Sequence, residues 1–127
     1  MICTMFGSHL SIAGGLHNAL IEAKSLDMKC VQVFTKNQRQ WKAPPLTSEA
    51  IDEWIAARVE TGIDMVVSHD SYLINLASPK ADTREKSVAL FVDEVRRCDA
   101  LAIPFLVTHP GAHVGEGEAA GLKRIIR

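Results

Sequence analysis

The stretch VVSHDSYLINL, Val66 to Leu76, decides the fold. An apolar run stops there at a histidine and a carboxylate, and a tyrosine follows three residues later. A parallel strand covered on both faces reads as a continuous apolar run, and functional groups in such folds sit where the carboxyl end of the strand opens into a loop. His69 occupies that position. The pattern returns in PFLVTHPGAH, Pro104 to His113, where an apolar run leads into His109, Pro110 and Gly111.

Outward from these two stretches the chain alternates strand and helix. Ile2 to Phe6 reads as a first short strand running into Gly7, Ser8 and His9. SIAGG, Ser11 to Gly15, reads as a loop, and Leu16, Ala19, Leu20, Ala23 and Leu26 recur at helical spacing. Cys30 to Phe34 is rich in β-branched residues and predicts a second strand. It runs into TKNQRQWKAPP, a polar loop closed by two prolines. Thr47 or Ser48 suits the cap of the next helix, Glu49 its first turn and Gly62 its end. Ile51, Trp54, Ile55 and Val59 form its expected buried stripe. Ile63 to Ser68 predicts the third strand. From Ser78 and Pro79 a long helix follows, with Val88, Phe91, Val92, Val95 and Cys98 expected inside and Arg84, Glu85, Asp93, Glu94 and Arg96 in water. Ile103 to Thr108 predicts a fourth strand, and AAGLKRIIR a fourth helix within which the sequence ends.

Strand and helix four times over implies parallel strands joined by right-handed crossovers, in a doubly wound sheet or in part of a (β/α)8 barrel. No G-x-G-x-x-G follows a strand, which disfavours dinucleotide binding. A whole barrel takes about 250 residues, so 127 residues hold about half of one. A half barrel has open edges and an uncovered inner face, and an isolated chain of this kind is expected to self-associate.

The formal net charge is −1, so contact with phosphate has to come from a local cluster rather than from overall charge. Cys3, Cys30 and Cys98 are odd in number and widely spaced, with no C-x-x-C pair. That suggests neither a disulfide framework nor a zinc ribbon, and the cysteines read as reduced, mostly buried thiols in a cytoplasmic protein. No apolar stretch approaches the ~20 residues needed to span a bilayer, so no membrane partner is expected.

Neighbouring strands lie about 4.7–4.9 Å apart, so imidazoles at consecutive strand ends are able to meet on one ion, and neutral imidazole is a good zinc ligand. The plainer alternative is that each histidine caps its strand at the rim. Asp70 suits an acceptor behind His69 or a loop-shaping role. His9 reads as a rim residue rather than a ligand, His17 as a solvated helical residue, and His113 as open between roles. The loop Lys36 to Lys42 reads as a solvated surface loop whose amides, arginine and tryptophan would also suit phosphate contact and stacking. Tyr72 beside Leu73 is either an amphipathic rim residue or a wedge for a base stack.

FTKNQRQW at Phe34 to Trp41, HDSYLINL at His69 to Leu76, HPGAH at His109 to His113 and GSHLSIAGGL near the start resemble the N-terminal half of the endonuclease IV family of apurinic/apyrimidinic endonucleases. The resemblance implies a (β/α)8 TIM barrel of which about the first four β/α units are present. Residues 1–127 would be the N-terminal half of the barrel domain. It further implies a cluster of three zinc ions at the carboxyl face, with His69 and His109 ligating one of them, and zinc-assisted cleavage of double-stranded DNA on the 5′ side of abasic sites. Arg39, Tyr72 and Leu73 would enter the duplex and hold the flipped nucleotide, with Asn37, Gln38 and Trp41 in the same recognition loop. The parent protein would be a monomeric DNA-repair hydrolase, and these residues alone would be inactive, because the family's remaining carboxylate and histidine ligands lie in later strands. Two other readings use the same residues: a sugar isomerase or epimerase of the same barrel superfamily, and a non-catalytic DNA-binding remnant.

Overall fold

A computed structural model describes residues 5–126. Four strands and four helices alternate: β1 (Gly7–His9), α1 (Asn18–Ser25), β2 (Cys30–Val33), α2 (Ser48–Thr61), β3 (Met65–His69), α3 (Ala81–Ala100), β4 (Phe105–Val107) and α4 (Glu118–Ile125). All neighbouring strands pair in parallel and the sheet order is β1-β2-β3-β4. A doubly wound sheet reverses its strand order at a switch point. Sequential order without reversal is the arrangement of a barrel wall, and it selects between the two architectures that the alternation left open.

The side-chain period of two assigns the faces. Val31, Val33, Val66 and Ser68 are buried and point to the helices, where the two strands' valines meet Leu20, Trp54, Leu101 and Ile103 in one apolar cluster. The Trp54 indole N–H is satisfied there, donating to the Leu101 carbonyl at 2.9 Å. The alternate positions line the other face in register: Gly7, Cys30 and Met65 in one layer, then His9, Gln32, Val67 and Phe105, then His69 and Val107. This second face leaves Phe105 and Val107 exposed.

Several element ends depart from the sequence reading. Of the expected first strand Ile2 to Phe6, residues 1–4, Cys3 among them, lie outside the described residues, and Met5 and Phe6 are not strand; pairing begins at Gly7. The third strand begins at Met65 and includes His69, because Ile63 is spent in the turn that packs the end of α2 on the core. Thr47 caps α2, its hydroxyl accepting from the Ala50 N–H at 3.1 Å, and Gly62 ends it in the left-handed region at φ 68°.

The expected helix stripes need correction. In α2 the sheet-facing residues are Trp54, Ala57 and Thr61, while Ile55 is exposed and Val59 is 81% exposed. In α3 the buried residues are Ser87, Leu90, Glu94, Arg97 and Cys98, while Val88, Val92 and Val95 are exposed. Each helix thus buries a face of mixed size and polarity and leaves β-branched apolar residues in solvent. Glu94, expected in water, is 1% exposed. Its carboxylate accepts from the Thr35 hydroxyl at 2.7 Å. No helix among the described residues is long and apolar enough to cross a membrane.

Candidate functional site

Positions of one parity converge where the strands end. His69 lies on the inner face at the end of β3, level with Val107. His109 keeps the parity of Val107 two residues on, and its ring centroid is 5.1 Å from that of His69. Phe34, just past β2, stands 5.7 Å from His69, and His9 stands 4.4 Å from Phe34. Tyr72, from the loop after β3, reaches 5.4 Å from His69 and 6.5 Å from His109 while remaining 65% exposed. Five rings thus gather at the carboxyl end of the sheet. Phe34 was not singled out from sequence, although its place in the series Cys30, Gln32, Phe34 was the signal that would have found it.

Hydrogen bonds fix the chemistry of two of these rings. His69 Nδ1 is 2.8 Å from the Asp70 carbonyl oxygen. A carbonyl only accepts, so Nδ1 carries the proton and Nε2 keeps its lone pair for an electrophile. Its neighbour His9 differs: the Gln32 side-chain amide donates to Nδ1 at 2.9 Å, which occupies that lone pair. Partial burial, and secondly the adjacent His69, hold His9 below the ordinary imidazole range and keep it neutral. Asp70 is buried behind this pair, where its carboxylate accepts from the Thr108 hydroxyl and its backbone N–H donates to the Val107 carbonyl at 3.0 Å. Burial pushes its carboxyl above the usual range, opposed by the Thr108 hydrogen bond and by the two neighbouring histidines.

The two remaining histidines stand apart. His113 is half-buried, its Nδ1 accepting from the Gly117 N–H at 3.1 Å where α4 begins. His17, expected as a solvated helical residue, is the residue before α1 and lies 3.2 Å from Glu53 of α2.

The loop after β2 is a surface loop, as its sequence suggests, but it is tied down at several points. Lys36 is buried and donates to the Gln40 carbonyl at 2.8 Å. Arg97 of α3 donates to the Thr35 and Pro44 carbonyls, gripping both ends of the loop. Asn37 accepts from the Arg39 N–H at 2.9 Å, and the Gln38 carbonyl accepts from the Ser71 hydroxyl at 2.7 Å. The last bond ties the loop that carries Arg39 to the loop that carries Tyr72 and the half-buried Leu73. Arg39 is exposed on this loop. Trp41 does not join the rings. It lines a groove of about 460 Å³ with Lys42, Lys86, Leu90 and Asp93 against α3.

The donor set fits a metal ion in part. His69 Nε2 is free, and a second imidazole stands one strand away with its ring tilted 51° to the first. Among the described residues, however, no group of three potential ligands gathers. Two imidazoles fall short of the three or four protein ligands that one zinc ordinarily takes.

The model of the xylose isomerase-like TIM barrel family matches residues 20–127. Over 120 residues the chain is 51% identical to the probable endonuclease 4 of Chloroflexus aggregans, covering 94% of this chain and 42% of the relative. The probable endonuclease 4 of Geobacter sulfurreducens is 45% identical over 123 residues, covering 94% and 40%. Among solved structures, endonuclease IV from Thermus thermophilus superposes with a TM-score of 0.80 at 33% identity, covering 98% of this chain and 48% of that one. The chain spans less than half the length of these relatives.

Proposed function

The chain belongs to the xylose isomerase-like TIM barrel family, and on that premise we propose that residues 1–127 form the N-terminal half of the barrel domain of a zinc-dependent DNA-repair endonuclease that cuts double-stranded DNA 5′ to abasic sites. The observation that carries the reading is the convergence of His69 and His109, 5.1 Å apart at the carboxyl ends of adjacent parallel strands, beside an exposed Tyr72. The names of the relatives, endonuclease 4 and endonuclease IV, support the reaction class.

His69 and His109 would hold one zinc ion, and the remaining ligands come from outside the described residues. When bound, zinc supplies Lewis acidity and an activated water for phosphodiester hydrolysis. Asp70 holds the β3–β4 rim through Thr108 and Val107, and the carbonyl of Asp70 keeps the His69 proton on Nδ1. Arg39 enters the duplex beside the flipped nucleotide from its exposed loop, its guanidinium pairing with backbone phosphate, while Asn37, Gln38 and Trp41 belong to the same recognition loop. Tyr72 and Leu73 enter the base stack at the lesion, where no base resists displacement, so extrusion costs least at the abasic nucleotide.

The test is cleavage of a duplex carrying one abasic-site analogue by the whole protein loaded with zinc. The expected product is a single nick 5′ to the lesion, abolished by chelator and reduced at least about 100-fold by His69→Ala or His109→Ala, the loss expected when a metal site is disabled. Chelator-resistant cleavage, or cutting of undamaged duplex at the same rate, would overturn it. The isolated 127-residue chain is expected to leave the same duplex intact.

A further inference from the structure

His109 stands on a loop with little to hold it. From His109 to Ala112 every residue is exposed, and Gly111 takes φ +100°, a conformation that favours glycine. Among the described residues, only Asn75 hydrogen-bonds this four-residue segment to another element. It does so twice: its side-chain amide donates to the Ala112 carbonyl at 3.0 Å, and its side-chain oxygen accepts from the Ala112 N–H at 2.9 Å. One primary amide thereby pairs both backbone groups of one residue, fixing the orientation of Ala112 as well as its distance.

Asn75 is itself anchored. Its backbone N–H donates to the Ser87 hydroxyl at 2.9 Å, and that hydroxyl donates in turn to the Thr83 carbonyl within α3 at 2.7 Å. Ser87 is completely buried. The chain of bonds therefore runs from the first turns of α3, through Asn75, to the loop carrying His109. Gly111 makes the close approach possible, since a Cβ there would lie 2.2 Å from the Asn75 side-chain oxygen.

We infer that Asn75 is a positioning residue that sets the His109 imidazole against that of His69, an inference resting on the reading of His109 as a metal ligand. Asn75 touches neither ring. Losing its amide leaves the Ala112 N–H and carbonyl to water, which an exposed loop tolerates, so the consequence falls on the placement of His109 rather than on the core.

The experiment compares the whole protein with Asn75→Ala and Asn75→Asp. Two quantities are read: the nuclear Overhauser contact between the His69 and His109 ring protons in metal-free protein, and zinc affinity by chelator competition. The expected result is a contact present in the parent and lost in Asn75→Ala, with zinc bound about 10–100-fold more weakly, the usual effect of removing a partner behind a ligand. Asn75→Asp keeps the acceptor and lacks the donor, so it should fall between; it also decides the matter if Asn75→Ala does not fold. Retention of the ring contact in both variants overturns the inference, whatever the zinc affinity. A parent that shows the contact, loses it in Asn75→Ala and takes no zinc upholds the positioning role and instead refutes the metal reading.

Discussion

At His69 one hydrogen bond chooses the tautomer. With the Nδ1 proton committed to the Asp70 carbonyl, Nε2 keeps its lone pair on a ring whose centroid lies 5.1 Å from that of His109. His9 has the opposite arrangement, its Nδ1 spent on Gln32. Sequence spacing brought out His69 and His109 because each follows an apolar run, yet the difference in tautomer lies in tertiary contacts that no local pattern encodes. Asn75 illustrates the same limit, being one more polar residue in a loop until its partner at Ala112 is seen. The exposed wedge yields a first expectation. Tyr72→Ala should weaken binding to an abasic-site duplex about 5–150-fold, the ~1–3 kcal/mol that a base–aromatic stack contributes, with little effect on undamaged duplex; equal loss on both would deny it a role at the lesion. A second concerns Arg39, whose replacement by alanine should lower the salt dependence of duplex binding by about one phosphate contact, measured as the slope of log affinity against log salt.

At the level of elements, the loop after β2 depends on α3. Thr35, Lys36, Glu94 and Arg97 form a buried polar cluster below it. Burial raises the Glu94 carboxyl above the ordinary range, opposed by the Thr35 hydrogen bond and by Lys36 and Arg97, while nearby Asp70 adds to the rise. The folded chain therefore keeps a proton that the unfolded chain releases near its ordinary value of 4.5. Glu94 accordingly costs stability progressively as pH rises from there to its folded value, and by a constant amount above it. Glu94→Gln removes that term, so denaturant titrations should show the stability difference moving in the variant's favour as pH rises through this window. A difference independent of pH would mean that the carboxyl titrates alike in the folded and unfolded chains. Charged residues at helical spacing read as a wet face, which is why Glu94 was assigned to water and Arg97 was not singled out. The strands and helices themselves were legible, since apolar runs and caps such as Thr47 and Gly62 are local signals. The choice of buried face, which leaves Val59 and Val92 outward, is set by tertiary packing rather than by a local pattern.

Across the whole molecule, the apolar core and the candidate site occupy opposite faces of one sheet. The apolar cluster of Leu20, Val31, Val33, Trp54, Val66 and Leu101 lies on the helix side, and the rings of His9, Phe34, His69 and His109 gather at the end of the other face. Stripping metal from the whole protein should therefore abolish cleavage while leaving far-ultraviolet circular dichroism and cooperative unfolding in place, unlike a domain folded around a structural zinc. Collapse on chelation would show that the core depends on the ion. The sequential parallel order also explains how histidines forty residues apart become neighbours: β3 and β4 pair directly, with His69 level with Val107. The most direct test of the shared site is the structure of the zinc-loaded whole protein at the zinc absorption edge. The expected result is one anomalous peak within about 2.0–2.1 Å of a ring nitrogen of both His69 and His109. Zinc bound to neither ring, or to each on a separate ion, would contradict it.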